Sequence, residues 1–314
     1  MDDRRFDSLT RLLGNRQSRR TLLGALAGTA AASLMVNRGA ASPAAQHTKA
    51  GADVVERYYL AVATYQYEQA YALLGAAVQA QQPFDDFVDG YADTAYVQVG
   101  VDHTQYTGDH EDVQVTLTAW HNDASIHRFS GAYAVGEEGG AARILAATIQ
   151  EDEPPSDVPP LCQVEDIRAS FGDWNAGAGN RYGTVLLTNE RNGVCVAAGV
   201  PHLQVYDAEG TLVIESTTEQ TEPFRSAPIR PGDQAASKFR WANWCEGEPA
   251  YPLTLNIAIP GDTDRLSLPM ETAAGPVQMP PCMGAGEPSS FGAKAFQPYE
   301  GLPSRHSLRI GRNR

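Results

Sequence analysis

The chain has 314 residues, with 24 Lys and Arg against 38 Asp and Glu, a formal net charge of −14. The length allows about two domains, and a hydrophobic share of 42% excludes wholesale disorder. The acidic balance excludes sequence-independent binding to nucleic acid, which rests on Lys and Arg neutralising phosphates.

Residues 1–45 are expected to be an export signal rather than part of the fold. Arg4, Arg5, Arg11, Arg16, Arg19, Arg20 and Arg38 stand there against three acids, Asp2, Asp3 and Asp7. An apolar run from Thr21 to Val36 follows Arg19-Arg20 directly, and small residues (Gly39, Ala40, Ala41, Ser42, Ala44, Ala45) close the segment. That order of basic, apolar and small regions is the order of a secretory signal. The run is about 15 residues, short of the roughly 20 that a comfortable span needs, so no stable membrane span is expected after cleavage; an uncleaved anchor is the alternative. The string Ser18-Arg19-Arg20-Thr21-Leu22-Leu23 resembles a twin-arginine signal, which implies transport across the cytoplasmic membrane to a secreted or envelope-associated location. The first cysteine is Cys162, so none follows the apolar run and a lipoprotein is not expected.

Residues 51–150 open with helical periodicity. Val55, Tyr58, Tyr59 and Val62 make one stripe; Ala70, Leu73, Leu74 and Ala77 a second; Phe84, Phe87, Val88 and Tyr91 a third. Asp53 and Glu56 resemble a capping box at the start of the first helix, and Pro83 with Asp85 and Asp86 suits the start of the third. After Tyr91 the period changes to two. Val97, Val99 and Val101 alternate with polar residues, as do Val113, Val115 and Leu117; two further apolar runs begin at Ile126 and Ile144. Three helices followed by four antiparallel strands predict an α+β arrangement.

That order, with Tyr58-Tyr59, the segment Tyr67 to Leu74 and the segment Phe84 to Ala92, resembles the nuclear-transport-factor-2-like superfamily. The resemblance implies a cone: a curved antiparallel sheet wrapped on helices around a pocket. Members related to ketosteroid isomerase and to the SnoaL-like polyketide cyclases are enzymes, whereas others only bind or support a neighbour. An isomerase-type site needs a carboxylate whose pKa is raised by burial, together with a hydroxyl donor. Tyr58, Tyr59, Asp102 and Trp120 are the candidate pocket residues. Tyr58 and Tyr59 also fit a core stripe, and Asp102 falls in a polar string that reads as a loop. No catalytic residue is carried over from the enzymes. His103, His110, His121 and His127 lie in the sheet half without tight ligand spacing, so neither a metal nor a cofactor is expected.

The decapeptide Glu151-Asp-Glu-Pro-Pro-Ser-Asp-Val-Pro-Pro160 reads as an extended spacer of about 30 Å. Beyond it, residues 161–283 hold all four cysteines. Short β-type runs at Ile167–Phe171, Tyr182–Asn189, Leu203–Tyr206, Leu212–Ile214, Ala236–Trp241 and Leu253–Ile259 are separated by turn signals such as Asn192-Gly193 and Pro260-Gly261-Asp262. This spacing predicts an all-β sandwich. Cys162 before Gly172-Asp173 and Leu186-Leu187-Thr188-Asn189, Cys195 before Gly199-Val200-Pro201, and Trp241-Ala-Asn-Trp-Cys245 make the block resemble a secreted bacterial family, the domain of unknown function 4232. The resemblance implies an immunoglobulin-like sandwich and no reaction. Export would place the four cysteines where disulfides persist; of the three pairings they allow, Cys162–Cys195 with Cys245–Cys282 is favoured. Without a C-x-x-C pair, zinc is the weaker reading. Trp241 and Trp244 read as core beside a disulfide, with an aromatic binding face as the alternative.

Residues 284–314 are expected to be a flexible basic tail. The leader holds seven bases and three acids and this tail five and two, so residues 46–283 carry 12 bases and 33 acids, a net −21. The functional expectation is an exported, non-catalytic binding or interaction module whose partner is a protein or a small apolar ligand. The alternative is an enzyme of the ketosteroid isomerase or SnoaL-like type, acting in the cone pocket.

Overall fold

The computed structural model describes residues 43–220, 224, 226–272, 275–284 and 286–299, with side chains from Ala50 onward. The twin-arginine string with Arg19 and Arg20, and the arginines of the C-terminal segment, lie outside the described residues. Among the described residues no helix is long and apolar enough to cross a membrane.

Four helices lead: α1 (Pro43–Ala63), α2 (Tyr67–Tyr71), α3 (Ala76–Gln81) and α4 (Phe84–Gly90). A four-stranded antiparallel sheet follows in the order β1-β2-β3-β4, made of β1 (Thr94–Tyr106), β2 (Glu111–His121), β3 (Ile126–Glu138) and β4 (Ala141–Glu151). The predicted stripes form its core. Val55, Tyr58, Tyr59 and Val62 of α1 are buried with Phe87 and Tyr91 against Val113, Val115, Leu117 and Ala119, the alternating positions of β2. Apolar surface removed from water on one side of each element is what holds this unit together.

Two expectations for this region change. The backbone is helical from Pro43, so Asp53 and Glu56 lie inside α1 and do not start it. The Ala-rich stretch ahead of Asp53 carries good helix formers, and they extend the helix. The second stripe is also divided into two helices, because Gly75 leaves the helix to donate to the Ile144 carbonyl at 2.8 Å while Leu74 bridges the same residue.

The remaining strands form sheets around a second core. A six-stranded sheet runs β10-β17-β12-β6-β5, with β18 also on β12; these are β5 (Ile167–Gly177), β6 (Asn180–Asn189), β10 (Thr217–Thr218), β12 (Gln234–Ala242), β17 (Ser290–Ala293) and β18 (Gln297–Pro298). A four-stranded sheet runs β14-β13-β8-β9, from β8 (His202–Tyr206), β9 (Leu212–Glu215), β13 (Thr254–Ala258) and β14 (Arg265–Pro269). Two short pairs, β7 (Cys195–Ala197) with β11 (Ala227–Ile229) and β15 (Glu271–Thr272) with β16 (Gly275–Pro276), complete the set. Val185, Leu187, Phe239, Trp241 and Phe291 of the first sheet share one buried cluster with Leu203, Val205, Leu255 and Ile257 of the second. Only β10 on β17 is a parallel pairing among these ladders.

The expected boundary at residue 283 moves. Phe291, Ala293, Ala295 and Phe296 are buried, and β17 pairs with β12 through Phe239↔Ala293 to Ala242↔Ser290. Two phenylalanines in an otherwise Gly- and Pro-rich stretch supply enough apolar area to anchor it. The Pro-rich segment after Glu151 is not a free spacer either. Pro159 O accepts from Trp120 Nε1 at 3.0 Å, Pro160 O accepts from Val196 N at 2.8 Å, and Leu161 is buried in a third cluster with Tyr96, Trp120, Val196 and Ala198. Proline carbonyls lack no acceptor capacity, so the segment docks by its oxygens.

Candidate functional site

The interior between α1 and the first sheet is filled by aromatic side chains. The Tyr58 and Tyr91 hydroxyls are hydrogen-bonded at 2.8 Å and those of Tyr59 and Tyr133 at 2.5 Å. Tyr58 meets Tyr59 edge-on at 5.0 Å between ring centroids, and Phe87 packs on both Tyr58 and Tyr91. Burial pushes the Tyr58, Tyr59 and Tyr91 hydroxyls well above the ordinary phenol range and that of Tyr133 up to about 12. Four neutral phenols satisfied by one another are core with matched polar atoms. The buried carboxylate nearest to the requirement for an isomerase, Glu111, accepts from the α1 backbone at Gly51 N, at 2.9 Å. A groove of about 170 Å³ remains at the edge, between Glu56, Tyr59 and Leu60 of α1, residues 96–101 of β1, and Phe224. That is below the roughly 300 Å³ at which ligand pockets begin.

The other predicted site residues separate. Asp102 is in β1 rather than a loop: it stands at the register shift between Val101 and His103, both paired with β2, and it is exposed, accepting from Thr116 Oγ1 at 3.0 Å. Trp120 lies in the third cluster, its ring tilted against Tyr96 at 5.5 Å between centroids, not in the tyrosine-filled interior.

One constellation escaped the sequence reading. Ser125 Oγ lies 3.0 Å from His127 Nε2, and His127 Nδ1 lies 2.7 Å from Glu151 Oε1. His121 stacks on His127 at 4.5 Å, and burial lowers its pKa. The order hydroxyl, imidazole, carboxylate is that of an acyl-transfer triad. Such chemistry also needs free donors for an oxyanion. The adjacent amides are engaged: Ser125 N donates to Asp123 Oδ1 at 2.9 Å and Ala124 N to His121 O at 3.0 Å. The arrangement therefore orders the β2–β3 turn, where Ala124 sits at φ 67°. Among the described residues no group of His, Cys, Asp or Glu could hold a metal ion.

An open cleft of about 690 Å³ lies elsewhere, between the segments 244–251 and 276–282. Both disulfides of the favoured pairing are formed, Cys162–Cys195 and Cys245–Cys282. The first is buried in the second core; the second joins the two segments and lines the cleft. Trp244 packs at right angles on the fully buried Trp241, at 5.6 Å, and donates its indole N–H to Gly247 O. Asn243, at φ 53°, ties the two segments together: Oδ1 accepts from Met283 N at 2.8 Å and Gly284 N at 3.2 Å. The sequence signal for this cleft was the pair of cysteines, since each stands in one of the two loops.

A protein-family model described as a domain of unknown function (DUF4232) matches residues 162–286. The match covers the second core from its first cysteine to just beyond its fourth, and it carries no activity. No curated protein matches the chain.

Proposed function

We propose that the chain is an exported, non-catalytic binding module: a signal over residues 1–45, a nuclear-transport-factor-2-like cone over about 51–150, a short connecting segment at 151–160, and an immunoglobulin-like sandwich that includes β17. Its binding surface is the cleft beside Cys245–Cys282. The observation that carries this reading is the contrast between the two halves. The interior of the first is filled by Tyr58, Tyr59, Tyr91, Tyr133 and Phe87, whereas the second presents an open cleft with Trp244, Tyr251 and Met279 on its walls. Two disulfides and a core match to a domain of unknown function are compatible with an extracytoplasmic setting.

Native mass spectrometry of protein purified from culture supernatant tests this. The expected result is a mature chain cut near residue 45, no alkylatable thiol, and a bound ligand or partner that is lost with Tyr251→Ala. Retention in the cytosol or four free thiols would overturn the export reading. A ligand lost on Glu56→Gln or Tyr59→Phe, and kept on Tyr251→Ala, would move the site to the first half and restore the enzyme alternative.

A further inference from the structure

The walls of the 690 Å³ cleft select among ligand classes. Its aromatic residues are Trp244 and Tyr251, the latter 38% exposed; its soft apolar residue is Met279. Of its lining side chains one alone is charged, Glu248, and Glu248 is exposed. Arg181 is not part of the lining; it donates from Nε to the Gln278 carbonyl at 3.2 Å. Trp244 has its N–H engaged on Gly247, so the indole offers a ligand no hydrogen-bond donor.

We infer that this cleft binds an organic cation, a quaternary or N-alkylated ammonium group, over the Trp244 and Tyr251 rings with Glu248 as its counter-charge. The inference rests on the reading of the cleft as the binding surface and names the ligand class. The ring faces carry negative quadrupole potential and attract a cation whose charge is spread over methyl groups; such a cation is also cheaper to desolvate than a primary ammonium. Met279 suits its alkyl surface. The volume lies within the range of small-molecule sites, roughly 300–1,000 Å³. The net −21 of residues 46–283 raises the local concentration of any cation and disfavours anions.

The test uses the full exported chain with both disulfides intact. Choline and its uncharged carbon isostere, 3,3-dimethylbutan-1-ol, are titrated against intrinsic tryptophan fluorescence and by calorimetry. Choline is expected to bind about tenfold more tightly than the isostere, a difference that high salt reduces. Glu248→Gln and Tyr251→Ala, both at exposed positions, are expected to keep the parent thermal midpoint and to weaken choline roughly five- to tenfold each. Equal binding of the two probes would overturn the cation assignment and leave the cleft a binding site. Saturable binding of neither probe at tens of millimolar would overturn the assignment as well; the ligand lost on Tyr251→Ala in the native experiment then decides separately whether the cleft binds anything.

Discussion

The indole Nε1 of Trp120 donates to the main-chain carbonyl of Pro159 at 3.0 Å. The bond joins the end of β2 to the Pro-rich segment. Tyr96 stacks on Phe224 and packs at a tilt on Trp120, and Gln98 Oε1 accepts from the Ser226 amide and hydroxyl at 3.0 and 2.7 Å. Residues far apart in sequence thus fix the two cores to each other through one small cluster.

Trp120→Ala is expected to destabilise by about 3–4 kcal/mol, the usual cost of emptying a buried tryptophan site. Trp120→Phe should cost about 1 kcal/mol for the lost bond and smaller ring. Because the cluster is shared, the alanine variant should split a single calorimetric transition into two and admit protease to the segment after Glu151. A single, unshifted transition would show that the two cores stay coupled without the Trp120 side chain.

The buried hydroxyl pair Tyr59–Tyr133 makes a second prediction. Tyr59→Phe alone leaves the Tyr133 hydroxyl without its partner and should cost about 1–3 kcal/mol; adding Tyr133→Phe should cost little more, since the double change removes both polar atoms. The same burial sets an alkaline limit. Tyr133 is pushed up to about 12 in the fold, against about 10 when unfolded. Between those values the unfolded chain has released the proton that the folded chain retains. This stabilisation is therefore complete below about pH 10 and is lost as pH rises toward 12, at up to ~1.4 kcal/mol per pH unit. Tyr58, Tyr59 and Tyr91 shift in the same direction and steepen the fall. Urea midpoints measured across this window should drop more in the parent than in the double variant; parallel curves would exclude these phenols as the cause.

Much of this arrangement was legible from residue spacing. The stripe Val55, Tyr58, Tyr59, Val62 and the alternation Val113, Val115, Leu117 report burial directly, since one face of a helix or strand must be apolar to pack. The six β-type runs after Leu161 are strands for the same reason. What spacing does not carry is tertiary pairing. β17 has four residues, too few for a period, and is a strand because β12 offers it an edge. Asp102 sits in a polar string and is a strand because Thr116 on β2 pairs with its neighbourhood. The Pro-rich segment docks because Trp120 and Val196 stand opposite its carbonyls. The Ser125–His127–Glu151 set needs β3 and β4 in register, Phe129 opposite Glu151, which no local pattern encodes. The cleft needs two loops brought together by a disulfide.

That register depends on Gly131. Its φ is 151°, and a Cβ there would stand 2.0 Å from Thr148 O and 2.9 Å from Ile149 Cα, both backbone atoms of β4. Neither can yield without opening the β3–β4 ladder. Gly131→Ala is expected to cost about 3 kcal/mol or more, in the range of the larger single-site effects. Gly139→Ala, at φ 63° but with open space around its Cβ, should cost only about 1 kcal/mol. Equal costs in denaturant melts would mean that backbone conformation alone, and not the approach of β4, decides the effect.

The two disulfides should separate under mild reduction. Cys162 and Cys195 are 2% and 0% exposed and sit in the second core, whereas Cys282 is exposed and Cys245 half-buried at the wall of the cleft. A reductant thiolate must reach a sulfur to attack it, so access orders the rates. Native-state treatment with a low concentration of dithiothreitol, followed by alkylation and peptide mapping, is expected to label Cys245 and Cys282 first and to leave Cys162 and Cys195 paired. The loops closed by the two bonds are similar, with sequence separations of 33 and 37, so chain entropy assigns each about 3–4 kcal/mol. Reduction of the outer bond alone should therefore lower the thermal midpoint while the core stays folded. It should also release the 276–282 segment from the 244–251 segment and abolish ligand binding in the cleft. Labelling of all four cysteines together would mean that the second core opens as a unit and that the cleft has no separate staple.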